Sequence, residues 1–110
     1  MTTFDDEREQ TFERKFALDR ELAFKVAARR NALLAHWAAA RMALHGAAAG
    51  DYVKGLVEKG VVHPDPQSVA ARVMGDLLAR GVPTSRQELD ARIARFTTRA
   101  RAEIVRGALR

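Results

Sequence analysis

Cysteine is absent from the 110-residue sequence. Disulfides, zinc–thiolate sites and cysteine nucleophiles are therefore excluded. Proline and glycine are sparse, at three and seven residues, and neither occurs between Met1 and His45. Nothing local interrupts a helix over that stretch. Long hydrophobic runs are missing too. The most apolar stretch, Leu33 to Leu44, is cut by His36 and Arg41. It also falls short of the roughly 20 residues that span a bilayer. The start, Met1 to Glu7, is acidic and has no apolar core of the kind a secretory signal needs. No membrane insertion is expected, and the expected location is the cytoplasm.

The length fits one domain and is too short for two ordinary cores. A compact domain of this size has a radius of gyration of about 13 Å. Apolar residues make up 47% and charged residues 30%, a balance that supports a packed core and disfavours wholesale disorder. The net charge of +5 is unevenly placed. Residues 1–25 hold seven acids and five bases, whereas Arg86, Arg92, Arg95, Arg99, Arg101, Arg106 and Arg110 crowd the C-terminal segment. The pattern is an acidic arm beside a basic body.

The chain reads as all-α. Alanine, arginine and leucine dominate, and no period-2 strand pattern stands out. Gly46 and Gly60 are expected to close the first two helices, the second with Tyr52, Val53, Leu56 and Val57 on its apolar face. Residues 61–66 read as a connector, with Asp65 as N-cap and Pro66 at the first helical position. Val69, Val73, Met74, Leu77 and Leu78 mark the third helix, which Gly81 and Pro83 stop. Thr84 or Ser85 caps the fourth, Ser85 and Glu88 having capping-box spacing. Its buried stripe is Leu89, Ile93, Phe96, Ala100 and Ile104.

A continuous helix over residues 5–45 would be roughly 60 Å long, far more than a compact domain of this length can cover. A helix over 22–45 matches the last one and supplies a core stripe of Leu22, Val26, Leu33, Trp37, Ala40 and Leu44. The expected architecture is thus a four-helix bundle over residues 22–110, with helices at about 22–45, 47–59, 66–80 and 84–108. Residues 1–21 form a flexible, helix-prone arm. Residues 4–19 should project, fray or fold back. Phe12 and Phe16 are four apart and share a helix face. They suit helix-in-groove recognition, or they fold back and cap the open end of the bundle.

The residues also carry a family pattern. Phe4-Asp5-Asp6, Arg8-Glu9, Phe12-Glu13, Lys15-Phe16-Ala17, Asp19, Glu21-Leu22, Phe24-Lys25, Ala28-Arg29-Arg30-Asn31, Leu33-Leu34 and Trp37-Ala38-Ala39 follow it in order. Together they resemble the zeta subunit, the inhibitor protein of alphaproteobacterial F-type ATP synthases. The likeness is dense over residues 2–39 and thin afterwards, at Tyr52, Lys54, Val57, Val73, Asp76-Leu77 and Glu88. Glu7 stands as an extra residue against the family's usual start, and Leu18 stands where histidine is common.

The resemblance implies a four-helix bundle with a mobile inhibitory N-terminus. That segment enters an interface of the catalytic head, between catalytic and non-catalytic subunits near the central shaft. There it blocks rotation in the hydrolysis direction much more than in synthesis. It implies Phe4, Phe12 and Phe16 as buried anchors, with Asp5, Asp6, Arg8, Glu13, Lys15 and Asp19 setting register and pairing. A regulatory subunit of this kind is not an enzyme and uses no cofactor.

Other chemistry has little support. His36, His45 and His63 lie far apart and form no metal-ligand pair. No glycine-rich phosphate loop is present. Asp5 and Asp6 form a carboxylate pair without the dry pocket that would split their pKa values. The alternative function is a basic helical module binding another protein or nucleic acid through Arg92, Arg95 and Arg99, which share a face. The scarcity of lysine and the absence of interleaved aromatics disfavour nucleic acid.

Overall fold

The computed structural model describes residues 4–63 and 65–108. Four helices follow one another: α1 (Phe4–Arg41), α2 (Gly46–Val62), α3 (Pro66–Ala79) and α4 (Arg86–Ala108). The chain is an all-α four-helix bundle, and α1 packs against each of the other three helices.

The first helix does not begin at residue 22. It runs unbroken from Phe4, as expected of a stretch without glycine or proline. At 1.5 Å per residue its 38 residues span about 57 Å, against about 35 Å for the 23 residues of α4. The excess projects. The molecule measures 65 × 27 × 21 Å, and its radius of gyration is 17.7 Å rather than that of a compact chain.

Burial along α1 shows where the bundle ends. Leu34, Ala35 and Ala38, with Met42 just past the end of α1, enter the main core with Leu56 of α2, Val69, Ala70, Val73 and Leu77 of α3, and Leu89 of α4. A smaller cluster, Val26, Leu33 and Ala100 with Leu22, Phe96 and Ile104 around it, closes the side between α1 and α4. Leu22 is the last residue of α1 to be even half-buried. From Asp6 through Glu21 every residue is exposed.

Helix ends follow local chemistry with two exceptions. Asp65 caps α3, accepting from the Ser68 amide at 2.8 Å and the Ser68 hydroxyl at 2.9 Å, with Pro66 at the first helical position. The Ser68 amide is also the main reason the Asp65 carboxyl lies below the usual aspartate value. Ser85 caps α4 by accepting from the Glu88 amide at 3.0 Å. Gly81, at φ +72°, ends α3 in a Schellman turn. Its amide donates to Leu78 and that of Val82 to Leu77.

The exceptions are the other two expected stops. The helix α1 ends at Arg41, and Ala43 rather than Gly46 takes the left-handed position, at φ +58°. The Ala43 amide donates to Ala40 and the Leu44 amide to Ala39, the same Schellman pattern. Leu44 then packs on the core, a gain that holds the turn despite the wrong residue at its apex. Gly46 opens α2 instead.

Gly60 does not end α2, which continues through Val61 and Val62 to its C-cap at His63. Its role is a close approach. A β-carbon there would collide with the amide nitrogen of Asn31 on α1. Two expected core positions are also exposed, Ala40 and Leu78, because α1 and α3 turn neighbouring faces inward. Ala70 takes the place of Leu78 in the α3 stripe.

Candidate functional site

The projecting part of α1 holds the residues the sequence singles out. Its helix is supported locally by the Thr11 hydroxyl, which donates to the Glu7 carbonyl at 2.9 Å, and by a Lys25–Glu21 pair at 3.2 Å. Phe12 is 72% exposed and Phe16 57%. Neither folds back onto the bundle, so the capping reading of these two rings does not hold. One helical strip carries Arg8, Phe12, Lys15, Phe16 and Asp19, at spacings of four, three, one and three residues. Asp6 and Glu13, seven apart, share a flank to one side. A shallow depression lies along Arg8, Thr11, Phe12 and Lys15. Phe4 and Asp5 open α1, but their side chains lie outside the described residues.

The Arg20 guanidinium lies 5.8 Å from the centre of the Phe16 ring, within cation–π range. It steadies that ring on the exposed face. The arm is a helix bearing two large apolar groups in water, flanked by charges of both signs. Such a surface has little to contribute to stability and much to gain from a partner.

The bundle beneath is tied by polar contacts at its seams. The Arg29 Nε donates to Glu103 on α4 at 2.7 Å, and Arg99 adds a second contact to the same carboxylate at 3.2 Å. The Arg29 hydrogen bond is the largest reason the Glu103 carboxyl lies below the usual glutamate value. Between α2 and α3 the Tyr52 hydroxyl donates to Asp76 Oδ2 at 2.9 Å, and Arg72 Nε donates to the same oxygen at 3.3 Å. Burial, then Asp76, raises the Tyr52 phenol well above its ordinary value. Two guanidinium groups approach the Trp37 ring, Arg92 at 5.4 Å and Arg41 at 5.6 Å from its centre.

These contacts bear on the basic-module alternative. Of the three arginines that share a face of α4, Arg92 lies over Trp37, while Arg99, paired with Glu103, and Arg95 are both exposed. Among the described residues no group of three His, Asp or Glu side chains lies close enough to hold a metal ion. No helix of the described residues is long and apolar enough to cross a membrane.

Arg30 and Asn31 form a buried polar pair that the sequence does not reveal. Arg30 is 7% exposed and Asn31 2%. Arg30 Nε donates to Asn31 Oδ1 at 3.1 Å, while Arg30 Nη2 is buried without a partner. Burial lowers the Arg30 pKa from its ordinary value. The signal available was two adjacent polar residues inside an alanine-rich apolar run. Nothing local says that both turn inward.

Compared with known families, residues 1–103 match the model of one described as ATPase inhibitor subunit zeta. The match covers the projecting arm, the first three helices and most of the fourth. No curated protein and no solved structure matches the chain.

Proposed function

The chain belongs to the ATPase inhibitor subunit zeta family, and we propose that it inhibits ATP hydrolysis by F-type ATP synthase through its N-terminal arm. Residues 1–21 act as the inhibitory segment, and residues 22–110 are the bundle that docks on the catalytic head. The arm enters an interface between catalytic and non-catalytic subunits near the central shaft and obstructs rotation in the hydrolysis direction. The chain is a regulatory subunit, and its work is done at the cytoplasmic face of the membrane that carries the synthase.

The observation that carries this reading is the exposure of Phe12 and Phe16 on a helix that has outrun its own bundle. Burying the exposed part of two phenylalanines is worth about 2–4 kcal/mol, or roughly 30- to 1000-fold in affinity. Phe4 adds a third anchor in this scheme. Asp5, Asp6, Arg8, Glu13, Lys15 and Asp19 fix the register by pairing with charges of the partner. The arm is flexible before it is captured. Ordering it costs on the order of 1 kcal/mol per residue, a cost reduced by its strong helical preference and offset by the anchors.

The test is ATP hydrolysis by the purified catalytic head, titrated with the full chain and with residues 22–110 alone. Inhibition by the full chain only is the expected result. Equal inhibition by both would move the activity to the bundle and refute the assignment.

A further inference from the structure

The row of residues that carries Phe12 and Phe16 does not stop at the end of the arm. Continued at four-residue spacing it passes Arg20 and reaches Phe24, which is 56% exposed although it lies beside the bundle. Twelve residues separate Phe12 from Phe24, about 18 Å along the helix. Beside Phe24 the C-terminal end of α2 arrives, and Val61 projects there, 58% exposed. Between α1 and α2 lies a groove of about 370 Å³ lined by Arg20, Phe24, Ala27, Val57, Gly60 and Val61. Its walls are mostly apolar. The absence of a side chain at Gly60 opens it onto the amide nitrogen of Asn31, whose oxygen is held by Arg30.

We infer that the ATPase surface engaged by the arm continues into this α1–α2 groove, offering it a large apolar side chain and, beside that, a carboxylate for Arg20. The inference rests on the inhibitory reading of the arm and extends it to named residues of the bundle. Continuity is the first argument. Arm and groove share one uninterrupted helix, so a surface that covers Phe16 and extends about two turns toward the bundle meets Phe24 and Val61. Volume is the second, since the groove has room for a leucine-, methionine- or phenylalanine-sized group. Charge is the third. Among the described residues Arg20 pairs with no carboxylate, and a covering surface would strip its water. A carboxylate on the covering surface would offset that loss.

The test uses the full chain and the purified catalytic head. Binding is followed by the anisotropy of a dye at the C-terminal end, and ATP hydrolysis is titrated in parallel. Phe24→Ala with Val61→Ala should weaken binding about tenfold or more while hydrolysis at saturating inhibitor stays at the wild-type residual level. Arg20→Glu should weaken binding about tenfold, and Arg20→Lys much less. Both sets alter exposed positions, so thermal unfolding should be unchanged. Leu78→Ala, exposed on α3 away from the groove, is the control. Binding of both sets within about twofold of wild type overturns the inference. So does a concentration-dependent dimer that the Phe24/Val61 variant abolishes, because the groove would then belong to a second copy. Wild-type binding that these variants weaken, without any effect of wild type on hydrolysis, sinks the inhibitory reading and leaves the groove assignment standing. No binding by wild type overturns both.

Discussion

Replacing Gly60 by alanine should destabilise the bundle even though alanine is the better helix former. In an exposed helix interior the change is favourable by about 1 kcal/mol. At Gly60 the new methyl group lands on the Asn31 amide, which is almost fully buried and is held from its other side by Arg30. Asn31 can give way only toward the groove, which pulls its amide off Arg30. Either α2 moves away from α1 or the Arg30–Asn31 hydrogen bond breaks. Overpacking of this kind costs about 1–3 kcal/mol, and losing the hydrogen bond in a buried site about 1–3 kcal/mol. The net expectation is a loss of about 1–3 kcal/mol.

Two other glycines provide the comparison. Gly50 in α2 and Gly75 in α3 are exposed, and a β-carbon at either meets nothing within 4 Å. Gly75→Ala and Gly50→Ala should each stabilise by up to about 1 kcal/mol. Thermal unfolding followed at 222 nm reads the difference, since 1 kcal/mol moves Tm by about 4 °C or more in a domain of this size. Gly60→Ala should melt below wild type and the other two above it. Combining Gly60→Ala with Asn31→Ala should recover part of the loss, because the clashing amide is gone. A Gly60→Ala variant that melts as high as Gly75→Ala would refute the close-approach account of this residue.

Three further outcomes test other parts of the structure. Ala43→Gly should stabilise by about 1 kcal/mol, read from urea unfolding, because Ala43 holds a left-handed φ of +58° that glycine adopts without strain. Tyr52, the sole tyrosine, has its phenol pKa raised in the folded state, so its contribution to stability is present below the unfolded value of about 10 and fades as pH rises through the folded one. In an absorbance titration at 295 nm the native protein should therefore ionise later than a denatured control, and Asp76→Asn should bring the two curves closer. On the acid side, the Glu103 pKa is depressed, chiefly by Arg29, so its contribution is present above the unfolded glutamate value of about 4.3 and is lost as pH falls through the folded one. Glu103→Gln should flatten the decline of Tm below about pH 4.5.

How much of this was legible in the sequence follows the range of the interactions concerned. The Asp65 cap, the Ser85–Glu88 spacing and the Gly81 stop depend on neighbours within a few residues and are legible in the sequence. The α4 stripe is too, because a single face of that helix meets the core. The sequence puts the end of α1 four residues beyond Arg41, where the helix stops. The left-handed turn falls on Ala43, where the packing of Leu44 decides it and local preference does not. Gly60 reads as a stop in one dimension and becomes a contact only when Asn31 faces it from α1. The inward turn of Arg30 and Asn31 is hidden for the same reason.

The arm shows the same division. Its helical preference, its acidic balance and the Phe12–Phe16 pair are local properties. That residues 4–19 outrun the other helices follows from the rise per residue alone. That Phe24, Val61 and Arg20 border one groove depends on where α2 docks, which spacing along α1 does not reveal. Phe24 in isolation reads as one more apolar residue of a long helix.

The central claim is that two exposed rings on the arm carry the inhibition. The most direct measurement is ATP hydrolysis by the catalytic head with the Phe12→Ala, Phe16→Ala double variant, alongside its thermal unfolding. Both rings lie beyond the core, so the unfolding transition of the bundle should match wild type. Inhibition should fall by a factor on the order of 100 in the concentration required, from the burial that two anchors contribute. A variant that remains fully folded and inhibits at wild-type concentrations would contradict the claim.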